Sequence, residues 1–127
     1  MFNLYVAKIC DIEHHLSQLL DLVQNENIPY QKINSHVHVI GIAKNSLIKS
    51  LSDVYKNGKI DTINNTITAK HKELKSLLTD RPINKQDKSV IVKNNMITFS
   101  SDRITEIIAL SYTVKEEYFK LKVLINE

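Results

Sequence analysis

Apolar residues recur every three or four positions in four segments of the chain, a period that predicts amphipathic helices. The segments are residues 12–24, 44–57, 70–78 and a last stretch that starts after Ser100-Ser101-Asp102 and ends near Ile125. The last segment has the longest regular stripe, formed by Ile107, Leu110, Val114, Tyr118, Leu121 and Ile125. The side-chain oxygens of residues 100–102 are suited to cap its amino end. Helices should therefore supply much of the core.

Alternation of apolar and polar residues in other segments predicts β-strands. Residues 35–42 read S-H-V-H-V-I-G-I, and this β-branched alternation favours one or two short strands within residues 30–42. On a strand, His36 and His38 would point to the same face. Residues 89–99 predict a hairpin with a type I′ turn at Asn94-Asn95, because asparagine tolerates the positive φ that this turn requires.

Two segments permit both a helix and a strand. Residues 2–9 extend the apolar stripe of the helix that follows, but we favour a strand because Asp11 would then stand at the N-cap of that helix. Residues 60–69 have isoleucines at helical spacing, whereas their Thr and Asn content is poor for a helix and a hairpin competes. Gly58 predicts a helix end before this segment, and residues 79–88 predict a polar loop.

These elements together predict an α+β fold in which helices pack on a small, mostly antiparallel sheet. An all-α four-helix bundle is the alternative if residues 2–9 and 60–69 are both helical. A chain of 127 residues suits a single domain, which we assign to residues 1–127. The proportions of hydrophobic residues (43%) and charged residues (24%) are those of a globular protein with its own core.

Composition excludes some classes of function and limits others. A net charge of +3 is too weak to indicate nucleic-acid binding by itself. Arg81 and Arg103 are the only arginines, so bidentate contacts to bases or phosphates are scarce. With two glycines, the chain has no Gly-rich phosphate-binding loop.

Cys10 stands alone, so an internal disulfide is impossible and a reducing, cytoplasmic location is expected. No apolar run approaches the ~20 residues that span a bilayer, so no membrane association is expected. The abundance of Lys, Asn and Ile is typical of a low-GC source.

The strand-borne pair His36-Val37-His38 resembles the His-hydrophobe-His motif of the HUH endonucleases, which act on single-stranded DNA. Tyr112-Thr113-Val114-Lys115 has the Y-x-x-K form that replication initiators of this family carry on a later helix. The resemblance implies that His36 and His38 bind Mn²⁺ or Mg²⁺, that Tyr112 is the nucleophile and that Lys115 assists it. No counterpart of the family's amino-terminal motif is present.

The last helix has more apolar residues than one buried face requires. The additional ones are Ile108, Tyr112, Phe119, Val123 and Leu124. Such coverage fits either a central core helix or a helix that also forms an interface with a protein partner or a second copy, in which Tyr112, Phe119, Val123 and Leu124 would take part. We favour a small binding, inhibitor or regulatory protein, without cofactor or catalysis, over the alternative of an HUH nuclease.

Overall fold

A computed structural model describes residues 3–79 and 90–126, which form four helices and three short strands. The helices are α1 (Leu4–Val23), α2 (Tyr30–Val54), α3 (Gly58–Thr79) and α4 (Ser101–Asn126). The strands are β1 (Ile28–Pro29), β2 (Val90–Lys93) and β3 (Met96–Phe99). The fold is thus α+β, as predicted, although most of the described residues are helical.

The four helices pack side by side around one core. Helix α1 contacts α2 and α4, while α3 contacts α4 and α2, so that α2 and α4 lie diagonally across the bundle. Each helix contributes a stripe of buried apolar residues at helical spacing. The best buried are Ile9, Ile12, Leu16 and Val23 of α1, Ile33, Leu47 and Leu51 of α2, Ile60 and Ile67 of α3, and Ile107, Val114, Tyr118 and Leu121 of α4. None of the helices in the described part of the chain combines the length and apolar character needed to cross a membrane.

The small sheet closes one end of the bundle. Strand β3 lies in the centre, and both β1 and β2 pair with it in antiparallel register, so that Ile97 is opposite Ile28 on one side and Val92 on the other. Asn94 and Asn95 have φ angles of 53° and 62°, which confirms the predicted two-residue turn with positive φ at both positions. The Asn95 carbonyl also accepts a hydrogen bond from the Tyr30 backbone N–H, 2.9 Å away.

The predicted strand at residues 2–9 was wrong, because α1 begins at Leu4. The cap is Asn3, whose Oδ1 accepts hydrogen bonds from the backbone N–H groups of Tyr5 and Val6 at 2.9 and 3.3 Å. Asp11 lies in mid-helix and is exposed. The uninterrupted apolar stripe, extended by Ile9, decides the structure here.

The predicted strand within residues 30–42 was also wrong, because α2 runs through this segment. Burial at Ile33, Ile40 and Leu47 recurs every seven residues, as two turns of a helix require. A strand would have exposed half of that stripe. Val39, whose β-branched side chain favoured a strand, faces solvent and is not part of the core.

The ambiguous segment at residues 60–69 is helical and belongs to α3. Gly58 begins this helix rather than ending the previous one, which stops at Val54. Asn57 Oδ1 accepts a hydrogen bond from the Lys59 backbone N–H at 2.9 Å and so caps the first turn. The polar loop predicted at residues 79–88 lies outside the described residues, apart from Thr79, which ends α3.

Candidate functional site

The outer face of α4 carries a row of apolar side chains that the core does not use. Tyr112, Phe119 and Val123 are 60%, 62% and 45% exposed. Together with Glu116 they occupy positions spaced four, three and four apart, which places all four on one face of the helix. We call these four residues the outer stripe. The buried face of α4, with Val114 as an example, is on the opposite side.

Shallow depressions on both sides extend the outer stripe. One, of about 350 Å³, lies along α4 beside Tyr112 and Phe119. The other, of about 490 Å³, lies between α4 and α3, where Ile63 and Leu124 join Phe119 and Val123 in its wall. Leu124 is half-buried against the core. The structure therefore places Tyr112, Phe119 and Val123 on the surface, while Leu124 belongs partly to the core.

Lysines border the outer stripe. Lys115 and Lys120 line the first depression, and Lys59 and Lys120 line the second. Lys115 Nζ donates a hydrogen bond to Ser17 Oγ at 3.0 Å and lies 5.8 Å from the centre of the Tyr112 ring. Glu116 is the only acidic residue among the described residues that line the two depressions. The apolar row thus has a cationic border.

His36 and His38 do not share a face, because they lie on a helix and not on a strand. Two positions along a helix correspond to a rotation of about 200°. His36 is half-buried, and burial lowers its pKa, with the positive charges of His15 and Lys32 as further causes. His38 is exposed and lines a groove on another side of α2. The paired-ligand geometry of the HUH motif is therefore absent.

Tyr112 also lies apart from this histidine pair. It projects from the outside of α4, diagonally across the bundle from α2. Lys115 is held by Ser17 of α1. Within residues 3–79 and 90–126, no three His, Cys, Asp or Glu side chains converge in a way that could hold a metal ion. The structure does not bring the residues of the HUH resemblance together.

A second candidate site, which the sequence did not indicate, is an open groove of about 950 Å³ between α2 and α3. Its apolar wall includes Leu16 and Leu19 of α1 and Ile40 of α2, and its polar wall includes Lys44. The groove was not predicted because the sequence of residues 30–42 favoured a strand. The seven-residue spacing of the buried residues of α2, followed past residue 42, would have been the signal for it.

His71 lies in the wall of this groove and reaches into the core. Its Nε2 is 2.8 Å from the hydroxyl of Tyr118, and the two rings meet edge to face. Burial lowers the pKa of His71 to about 4, and the charge of Lys44 adds to the effect. Burial raises the pKa of Tyr118, with the charge of Glu13 as a smaller cause. Both side chains are therefore neutral at neutral pH.

No protein-family model, curated protein or solved structure matches this chain.

Proposed function

We propose that the protein is a small cytoplasmic binding protein, of an inhibitor or regulatory kind, which docks a partner protein on the outer stripe of α4. The observation that carries this proposal is the alignment of Tyr112, Phe119 and Val123 on one exposed helix face. Single exposed apolar residues are ordinary on any protein surface, but several on one helix face, interrupted here by Glu116, are typical of an interaction site. The lone, exposed Cys10 is compatible with a reducing compartment.

The charges around the outer stripe favour one kind of partner. Lys59 and Lys115 would attract carboxylates that flank an apolar row, whereas Lys120 is already paired with Glu117 at 3.0 Å. A second copy of the chain would instead bring its own lysine border against Lys59 and Lys115, which disfavours pairing of α4 with itself. The partner segment that fits is an acidic amphipathic helix, with apolar anchors at helical spacing and Asp or Glu beside them.

Selection from a displayed library of random peptides tests this proposal. Selection on the wild-type protein should enrich peptides with apolar residues three and four apart and acidic residues beside them. Phe119→Glu should abolish the enrichment, because it places a carboxylate where an apolar anchor docks. Val54→Glu is the matched control, since Val54 is an equally exposed apolar residue on α2, and the enrichment should persist.

Three results would overturn the proposal. Failure to enrich any family of peptides, or enrichment that survives Phe119→Glu, would show that the outer stripe is not the docking surface. Sedimentation velocity of the protein alone tests whether a second copy of the chain occupies the outer stripe. A dimer that Phe119→Glu dissociates and Val54→Glu does not would show that the occupant is a second copy instead of an acidic partner.

A further inference from the structure

We propose that the groove between α2 and α3 binds a small amphipathic anion, a free carboxylate with an unbranched apolar tail. This site lies on a different side of the bundle from the outer stripe and does not depend on the function proposed for α4. The groove has separate apolar and cationic walls, and the ammonium groups of three of its lysines have no partner within residues 3–79 and 90–126.

The size and floor of the groove suit an alkyl chain. Its volume of about 950 Å³ is within the range of small-molecule sites. The apolar residues come from three helices: Leu16 and Leu19 from α1, Val37, Ile40 and Ile42 from α2, and Leu74 and Leu78 from α3. Among the described residues that line the groove, the imidazoles are the only aromatic side chains. The groove therefore offers no Phe, Tyr or Trp ring on which a planar ligand could stack. Burial of a flexible aliphatic tail is what this surface offers.

The charged part of the groove is positive on both sides. Lys44 lies on α2, and Lys72 and Lys75 lie on α3. No Asp or Glu is present among the described residues that line the groove. An anionic head group on the ligand would therefore meet attraction from both helices.

The described neighbours of these lysines do not neutralise them. Within residues 3–79 and 90–126, ion pairs engage Lys70, Lys120 and Lys122. The side-chain nitrogens of Lys44, Lys72 and Lys75 form no hydrogen bond or ion pair with any described residue. Partial burial lowers the pKa of Lys44, a cost that a bound carboxylate would offset.

His71 contributes a polar group at the inner wall. Because its Nε2 is engaged by Tyr118, Nδ1 is the ring nitrogen that a ligand could use. A carboxylate held between Lys44 and Lys72 would leave the tail to lie over the leucines of α1 and α3.

Calorimetric titration with dodecanoate, below its micelle concentration, tests the proposal. Saturable binding to one site per chain is expected. Dodecanol, which has the same tail without the charge, should bind at least tenfold more weakly, and acetate, which has the head without the tail, should not bind. Vesicles of phosphatidylcholine and phosphatidylglycerol should not bind either. Vesicle binding without dodecanoate binding would assign the groove to lipid head groups and overturn the free carboxylate.

Two variants assign the binding to this groove. Lys72→Glu should weaken dodecanoate binding at least tenfold, whereas Lys49→Glu, at an exposed lysine of α2 outside the groove, should leave it unchanged. Gly41→Leu should abolish binding, because Gly41 lines the groove and a leucine there would fill it. A Cβ at Gly41 meets no atom within 4 Å, so the added side chain should cause no clash. It should not disturb the fold, because leucine favours a helix more than glycine does.

Several results would overturn the assignment. Equal affinity for dodecanoate and dodecanol, an equal loss in Lys49→Glu and Lys72→Glu, or unchanged binding in a folded Gly41→Leu variant would each show that the ligand is not held by these residues. Phe119→Glu should bind dodecanoate as the wild type does, which separates this site from the outer stripe.

Discussion

His71 Nε2 and the Tyr118 hydroxyl lie 2.8 Å apart in the core and connect α3 to α4. Both residues occupy positions in apolar stripes where a leucine would be the ordinary choice. Each side chain satisfies the other, so that neither leaves a buried polar group without a partner. This contact makes the stability of the protein dependent on the protonation of one imidazole.

Acidification should destabilise the protein through His71. Its pKa is about 4 in the folded protein and 6.5 in its ordinary environment, so the unfolded chain binds the proton first as the pH falls. The free energy of unfolding should therefore decrease between about pH 6.5 and pH 4, by roughly 1.4 kcal/mol per pH unit. Above pH 6.5 this group should have no effect. Urea unfolding at several pH values measures the slope.

His71→Gln is the control for this titration, because glutamine has no proton to gain in that range. The variant should lose less stability than the wild type over the same window. His36, whose pKa is also lowered, acts in both proteins and cancels in the comparison. Identical slopes would assign the pH dependence to a group other than His71.

Tyr118→Phe should destabilise the protein by about 1–3 kcal/mol, since it leaves the buried His71 Nε2 without its partner. If the hydrogen bond is the cause, the loss should be smaller when Tyr118→Phe is introduced into His71→Leu than into the wild type. A double-mutant cycle by chemical unfolding measures the difference. Strict additivity of the two substitutions would show that the contact contributes nothing.

Asn64→Leu should stabilise the protein, by about 1–3 kcal/mol. Asn64 is 3% exposed, and neither its side-chain oxygen nor its nitrogen has a hydrogen-bond partner among the described residues. Replacing it removes an unsatisfied amide and adds an apolar side chain between Ile60 and Ile67. Asn65→Leu, at the exposed neighbouring position, should change stability little. A lower melting temperature for Asn64→Leu than for the wild type would contradict this account.

The turn at Asn94-Asn95 predicts opposite outcomes for two substitutions at the same position. Asn95→Gly should be neutral or stabilising, because glycine adopts a φ of 62° without steric cost. Asn95→Val should cost more than about 1 kcal/mol, since a β-branched residue is strained there. Thermal unfolding measures both, with Lys93→Val as the control for a valine placed in the strand. Equal effects of glycine and valine would exclude the positive-φ turn.

The elements that could be predicted from sequence are those with a strong local signal. The Asn94-Asn95 turn needs a backbone conformation that few residues tolerate. Ser100 caps α4 by accepting a hydrogen bond from the Arg103 backbone N–H at 3.1 Å. Residues 30–42 were misassigned because β-branched alternation within a short window imitates a strand. The segment is helical because Ile40 is buried together with Leu47, and Leu47 lies beyond that window.

The candidate sites were predictable only in part. The excess of apolar residues on α4 pointed to Tyr112, Phe119 and Val123, but periodicity alone could not distinguish burial from exposure. The groove depends on the separation of α2 from α3, a tertiary distance that no local pattern encodes. Lys44 and Lys72 look like ordinary surface lysines until the two helices are placed side by side.

Strand β1 has a consequence for the kinetics of folding. It is two residues long, and the backbone N–H of its neighbour Asn27 donates a hydrogen bond to the side-chain oxygen of Thr98, 71 positions away. The β2–β3 hairpin closes a short loop and can form quickly, whereas closure between β1 and β3 must wait until the ends of a long segment meet. We expect this closure to be a late event in folding and its opening an early one in unfolding. Amide hydrogen exchange at Asn27 and Tyr30 should then be faster than exchange within the hairpin.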